Sequence, residues 1–131
     1  MAVVPDKYLD LLGAKKAFAN IATVLKDGTP QVTPVWFDYT GGKIRVNTAR
    51  GRVKSRTMRK GVSVALSITD PENPYRYLQI RGRVVNVTEN GADAHIDSLA
   101  HKYLGQNYPF RQPGEVRVLY EIEPTSAQAM G

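Results

Sequence analysis

The chain has 131 residues, 42% of them hydrophobic and 23% charged, with a formal net charge of +6. That length fits a single domain over residues 1–131, able to bury roughly two thirds of its unfolded surface, and the basic balance favours anionic partners. The absence of cysteine excludes disulfides, thiolate metal sites and a cysteine nucleophile. No apolar run approaches a membrane span and Met1–Asp6 lacks a signal-peptide pattern, so a cytoplasmic protein with no membrane partner is expected.

Asp6 to Leu12 reads as a short helix, with Asp6 placed to cap it, Tyr8, Leu9 and Leu12 on one face and Gly13 at its end. Strands follow. Ala19 to Leu25 runs into Lys26-Asp27-Gly28, and Pro30 to Tyr39 returns; Asp-Gly between two such runs marks a hairpin. Thr40-Gly41-Gly42-Lys43 turns into a strand from Ile44 to Thr48, and Val53 to Lys60 is helix-like, stopping at Gly61. Val62, Val64, Leu66 and Ile68 then alternate with small polar residues, as a half-buried strand does. Asp70 to Pro74 reads as a loop before a long strand, Tyr75 to Thr88, in which Gly82 predicts a bulge or bend. Ala92 to Leu104 is helical, with Ile96, Leu99, Tyr103 and Leu104 on one face and Gly105 at the stop. Gln106 to Gly114 is an irregular loop, and Val116, Val118, Tyr120 and Ile122 alternate in a last strand closed by Pro124. The sum is a mainly β chain with a few helices. Six or so antiparallel strands in hairpin order, one bent at glycine, predict a small curled barrel.

Charge is unevenly placed along this framework. Tyr39 to Thr69 holds no acidic residue and eight basic ones: Lys43, Arg45, Arg50, Arg52, Lys54, Arg56, Arg59 and Lys60. They concentrate where a strand passes through Ala49-Arg50-Gly51-Arg52 into a helix start, a junction that can seat a phosphate with free N–H groups and charged donors. Thr48 adds a hydroxyl, Arg50 and Arg52 planar forks, and Lys54 a compact charge. Gly51 suits the loop geometry and permits close approach of a phosphate. Residues 43 to 61 contain no aromatic side chain, which counts against a non-enzymatic barrel that binds single-stranded nucleic acid through this block.

Other candidates read more plainly. His95 and His101 lie six apart on a helix and do not share a face, so a metal pair is not expected. Asp97 and His101 suggest a surface pair, and Asp93 and Asp97 share a helix face whose spacing alone does not distinguish an acid–base pair from a solvated surface. Trp36 is balanced between a ligand contact and a core aromatic, while Tyr75, Tyr77, Tyr103 and Tyr108 are candidate cleft aromatics, with core and interface packing the plainer reading for most. There is no nucleophile–base motif and no Walker-type loop, as expected where a cofactor supplies the chemistry.

Three runs carry a family resemblance: Gly28-Thr29-Pro30-Gln31-Val32-Thr33-Pro34-Val35-Trp36-Phe37, then Thr48-Ala49-Arg50-Gly51-Arg52-Val53-Lys54-Ser55-Arg56, then Tyr75-Arg76-Tyr77-Leu78-Gln79-Ile80-Arg81-Gly82-Arg83-Val84. With Tyr103-Leu104-Gly105 they span nearly the whole chain. The pattern resembles the pyridoxamine-phosphate-oxidase-like split-barrel superfamily, and within it the branch of small oxidoreductases that use the deazaflavin coenzyme F420. The motif of true pyridoxamine-phosphate oxidases is not evident.

The resemblance implies a homodimer of FMN-binding-like split barrels with two cofactor clefts at the subunit interface, acting on a small-molecule substrate. Thr48, Arg50, Arg52 and Lys54 would then hold the cofactor phosphate, and Pro34, Val35 and Trp36 would run beside its ring. Tyr77, Gln79 and Arg81, contributed by the partner subunit, would complete the cleft. The activity implied is hydride transfer between reduced deazaflavin and an unsaturated small molecule. An FMN-dependent oxidase or flavin reductase on the same fold is the alternative.

Overall fold

The computed structural model describes residues 3–131; Met1 and Ala2, which begin the N-terminal stretch read above, lie outside them. The alternating segments form β1 (Ala19–Val24), β2 (Pro30–Val35), β3 (Asp38–Thr40), β4 (Lys43–Ala49), β5 (Ser63–Asp70), β6 (Asn73–Thr88) and β7 (Arg117–Met130). All seven join one antiparallel sheet in the order β2-β1-β5-β6-β7-β4-β3. The outermost strands, β2 and β3, are separated in the chain only by Trp36 and Phe37. Three peptide steps from Val35 to Asp38 span at most ~11 Å. The sheet must therefore curl until its two edges nearly meet, which makes it a barrel. Phe37, 0% exposed, fills the seam.

Inward-facing side chains of every long strand fill this barrel: Ile21, Ile44, Val46, Leu66, Ile68, Leu78, Ile80, Val118, Tyr120 and Ile122 among them. Burying each large apolar side chain stabilises the fold by about 1.5–3 kcal/mol. Leu11, Leu12 and Met58 join the same core. The two leucines come from the short helix α1 (Leu9–Leu12), and Met58 is the residue that ends the short helix α2 (Val53–Thr57). Gly82 stands where the β6–β7 register shifts. A Cβ there would meet Ile122 Cγ2 at 2.7 Å and Glu123 O at 2.8 Å, so the strands can approach only because position 82 is glycine. The longest helix, α3 (Ala92–Leu104), packs across β7 and β4. It ends at Gly105, whose φ of 77° aims its N–H at Ala100 O and His101 O, both at 3.1 Å.

The fold is the β-rich split barrel expected, with several boundaries corrected. The helix expected at Asp6 to Leu12 is a 3₁₀ turn, Asp6–Tyr8, followed by one α turn, and Asp6 caps nothing. The strand expected from Pro30 to Tyr39 is two strands on opposite sheet edges, because Trp36 and Phe37 carry the chain across the seam. The basic helix stops at Thr57 rather than Lys60, since Met58, 1% exposed, turns into the core. The loop at Asp70 to Pro74 contracts to a tight turn at Pro71-Glu72, with Glu72 N bonded to Asp70 Oδ1 at 2.9 Å. Pro124 does not close the last strand. It pairs with Gly82 beside the register shift, where a missing N–H is tolerated, and β7 runs on to Met130. Leu104 stands outside the buried face of α3, which His95 joins instead. Among the described residues no helix is long and apolar enough to cross a membrane.

Candidate functional site

The seam, the start of α2 and the outer face of β4 and β7 meet around an open cavity of about 280 Å³. Pro34, Val35 and Trp36 form one wall at the end of β2. Thr48, Arg52 and Lys54 line the region between β4 and α2. Ile96 and Leu99 of α3, with Phe18, Tyr108 and Phe110, add an apolar rim, and Asn47 and Arg117 lie between β4 and β7. Three cations line this cavity, and no acidic residue does among the described ones. It can hold a flat, largely apolar body carrying negative charge.

The wall at the seam is rigidly held. Trp36 stacks on Tyr103 with ring centroids 5.2 Å apart and planes 6° from parallel, and meets Tyr108 edge-on at 6.1 Å. Tyr103 Oη donates to Ala17 O at 2.6 Å, and Lys102 Nζ to Phe37 O at 3.0 Å, so the last turn of α3 staples the seam closed. Burial pushes the Tyr103 hydroxyl up to about 12. Tyr103 is thus a structural clamp rather than a cleft group, whereas Tyr108 lines the cavity and Tyr75 lies exposed.

Lys54 projects from the first turn of α2 and donates from Nζ to Thr33 Oγ1 at 2.7 Å. Burial pushes its ammonium down, and the neighbouring Arg52 charge pushes the same way, so an anion in the cavity would be favourably placed. Arg50 and Gly51, expected alongside, do not line the cavity. Arg50 pairs with Glu89 through Nε at 2.6 Å on the surface. Gly51, at φ +89°, faces open space where a side chain would begin, so its part is to give the loop a backbone turn that other residues resist. Tyr77, Gln79 and Arg81 sit on β6, paired with the far end of β7 at Met130, Gln128 and Ser126, away from this cavity. Arg81 instead lines a separate groove with Thr23, Val24 and Thr125.

The basic block is less one-sided in the fold than along the chain. Arg45 holds Asp38 through two bonds of 2.7 and 2.9 Å, and Arg50 and Arg52 lie near Glu89 and Glu115. The residues left facing the cavity, Arg52 and Lys54, are those at the strand–helix junction.

Behind the cavity runs a polar network that sequence reading missed. Arg117 Nε donates to Asn47 Oδ1 at 2.9 Å, and Asn47 Nδ2 donates to Ala92 O at 2.9 Å and to His95 Nδ1 at 3.1 Å. The last bond assigns the His95 proton to Nε2, which faces Asp38 Oδ2 at 3.1 Å. Burial pushes the Asp38 carboxyl up, but hydrogen bonds from His95 and Arg45 outweigh it and hold it at about 2. The signal for Arg117 was a charge inside the apolar run Val116 to Tyr120; charged side chains are rarely buried without a partner. The surface pair expected between Asp97 and His101 does not form. Asp97 accepts from Tyr108 N at 3.0 Å and, with Asp93, from Arg111, while His101 bonds to Asn107.

The comparisons agree with this architecture. The sequence profile of the family described as pyridoxamine 5'-phosphate oxidase matches residues 4–131. Among solved structures, the chain is similar to one described as an F420 reductase, at 34% identity and a TM-score of 0.83, with 95% of this chain and 98% of that one covered. It also resembles a conserved hypothetical protein from Mycobacterium tuberculosis at 19% identity and a TM-score of 0.76, covering 98% and 86% of the two chains. A third likeness is to a putative pyridoxamine 5'-phosphate oxidase from Listeria innocua, at 17% identity and a TM-score of 0.70, covering 95% of each chain. No curated protein matches the sequence.

Proposed function

Since the chain belongs to the pyridoxamine 5'-phosphate oxidase family, we propose that it is an oxidoreductase that binds the deazaflavin coenzyme F420 and catalyses hydride transfer from its reduced form to an unsaturated small molecule. The observation that carries this reading is the cavity itself, which joins a stacked aromatic wall to a cationic junction with no acidic residue among the described ones that line it. The 34% identity to an F420 reductase structure supports the same choice.

In this reading Lys54, Arg52 and the Thr48 hydroxyl hold the cofactor phosphate, and Pro34, Val35 and Trp36 lie against its ring. The coenzyme, when bound, supplies a two-electron hydride; the chain binds it, orients it and excludes water from one face. Tyr103 does not serve as proton donor, because its hydroxyl proton is engaged with Ala17 O. We place Arg50 and Gly51 in the loop that shapes the junction, and Tyr77, Gln79 and Arg81 in the second subunit's contribution to the cleft. The working form is then a homodimer in the cytoplasm. Val32, 63% exposed on edge strand β2, and the neighbouring Val24 support such a covered face.

Titration of the purified protein with oxidised F420 and with FMN tests the cofactor. The deazaflavin should bind more tightly, and turnover in air should release no peroxide. Tight FMN binding with peroxide release, and no deazaflavin binding, would make the protein an FMN oxidase or flavin reductase. Light scattering at micromolar concentration that returned only monomer would defeat the shared cleft.

A further inference from the structure

Arg117 has no role in the reading above, yet it lines the same cavity while only 4% exposed. A guanidinium out of water is costly unless its N–H groups are matched. Here the match is incomplete. Nε is fixed to Asn47 and the guanidinium carbon lies 5.1 Å from the Tyr108 ring centre, but Nη1 has no hydrogen bond among the described residues. The nearest carboxylate is Glu115, whose side chain is only 7% exposed. Its Oε1 lies 3.4 Å from Arg117 Nη1 and 3.7 Å from Arg52 Nη2, and its Oε2 is unbonded. Asn47 has nothing more to give, since both hydrogens of Nδ2 are used on Ala92 and His95. The network therefore aims Arg117 without satisfying it, over the face of Tyr108 and in the cavity that Trp36 also lines.

We propose that Arg117 is an oxyanion-recognition residue of this cavity. It takes the carboxylate, or an acidic ring oxygen, of a flat conjugated ligand, with Asn47 as its positioning residue and Glu115 as the internal carboxylate that competes with the ligand. A substrate and the cofactor ring are two sources of the same oxygen chemistry. The inference rests on the cavity assigned above but not on which cofactor fills it.

The test uses cofactor-free protein and three probes of one shape, trans-cinnamate, cinnamamide and cinnamyl alcohol, read by quenching of Trp36, the sole tryptophan. Wild type should prefer cinnamate to the alcohol by about tenfold or more, the scale of one charge-assisted hydrogen bond. Arg117→Met should abolish that preference, Arg117→Lys should restore only part of it for want of the planar fork, and Arg59→Ala, in a separate groove, should leave it standing. Glu115→Gln, which removes the competing charge, should tighten cinnamate binding several-fold and carries the test alone if Arg117→Met does not fold. Equal affinity for acid and alcohol in wild type, a preference that survives Arg117→Met, or unchanged binding in Glu115→Gln would each overturn the proposal. Displacement of cinnamate by added F420 assigns the oxygen to the cofactor ring, and binding of both together assigns it to the substrate; each outcome supports an oxyanion site. Failure of F420 to bind would sink the cofactor reading alone, whereas loss of acid preference would sink this one.

Discussion

Lys54→Ala gives the sharpest test of the cationic junction. The side chain reaches into the cavity from the first turn of α2, with Nζ 2.7 Å from Thr33 Oγ1. Burial and the Arg52 charge already weigh against its ammonium in the free protein, so an arriving phosphate meets a cation poorly served by water. Losing one charge-assisted hydrogen bond of this kind costs about 1.5–3 kcal/mol of binding, or roughly 10- to 150-fold in Kd. Arg59 offers the internal control. It lies beyond the end of α2 and lines a different groove with Val24, Lys26 and Val62. Arg59→Ala should weaken binding by less than about 1 kcal/mol, and that small effect should fade in salt. Folding should suffer little in Lys54→Ala, since only the Thr33 bond is lost, worth about 1 kcal/mol. Calorimetric titration of both variants with F420, alongside urea unfolding of each, separates binding from stability. Equal losses at positions 54 and 59 would refute a discrete seat and leave only a diffuse field.

Three further outcomes follow from the packing. Gly82→Ala should destabilise by about 1–3 kcal/mol in urea, because the new Cβ meets Ile122 Cγ2 at 2.7 Å and backbone Glu123 O at 2.8 Å; an unchanged midpoint would refute the close strand approach. Asp38, held at about 2 against an ordinary 3.8, contributes stability that is present above about pH 4 and lost as pH falls through 2. That loss is roughly 2 kcal/mol; urea midpoints of Asp38→Asn should be flatter over this window, and identical pH slopes would argue against the network. Tyr103→Phe should lower stability by about 1–2 kcal/mol by stranding Ala17 O, and a melting temperature equal to wild type would show that the seam does not depend on this clamp.

Much of this architecture was legible because its signals are local. Alternation marked β5, Gly105 marked the end of α3, and Gly82 marked the bend in β6, each residue type imposing its geometry where it stands. The junction of Thr48, Arg52 and Lys54 was legible for the same reason, since strand, glycine loop and helix start are contiguous. What escaped depends on contacts between distant segments. The acids that temper the basic block, Asp38, Glu89 and Glu115, come from outside it, so its apparent excess of charge was partly an effect of reading along the chain. The division of Pro30 to Tyr39 into two edge strands was invisible because both halves alternate alike. The line from Arg117 through Asn47 and His95 to Asp38 joins β7, β4, α3 and β3, and only the curled sheet brings these together.

The two-residue link between β2 and β3 makes chain length itself a dimension of the cavity. Most surface turns of a β protein accept an added residue, because loop closure depends only weakly on length. The turns at Asp27-Gly28 and Gly41-Gly42 have that freedom. Trp36 and Phe37 do not, for they tie opposite sheet edges together while one lines the cavity and the other fills the seam. Lengthening this span by one residue would open the barrel and turn the aromatic wall at once. At this link a change of length is closed, and change in ligand preference is left to the rim formed by Phe18 and by Tyr108 and Phe110 of the loop after α3.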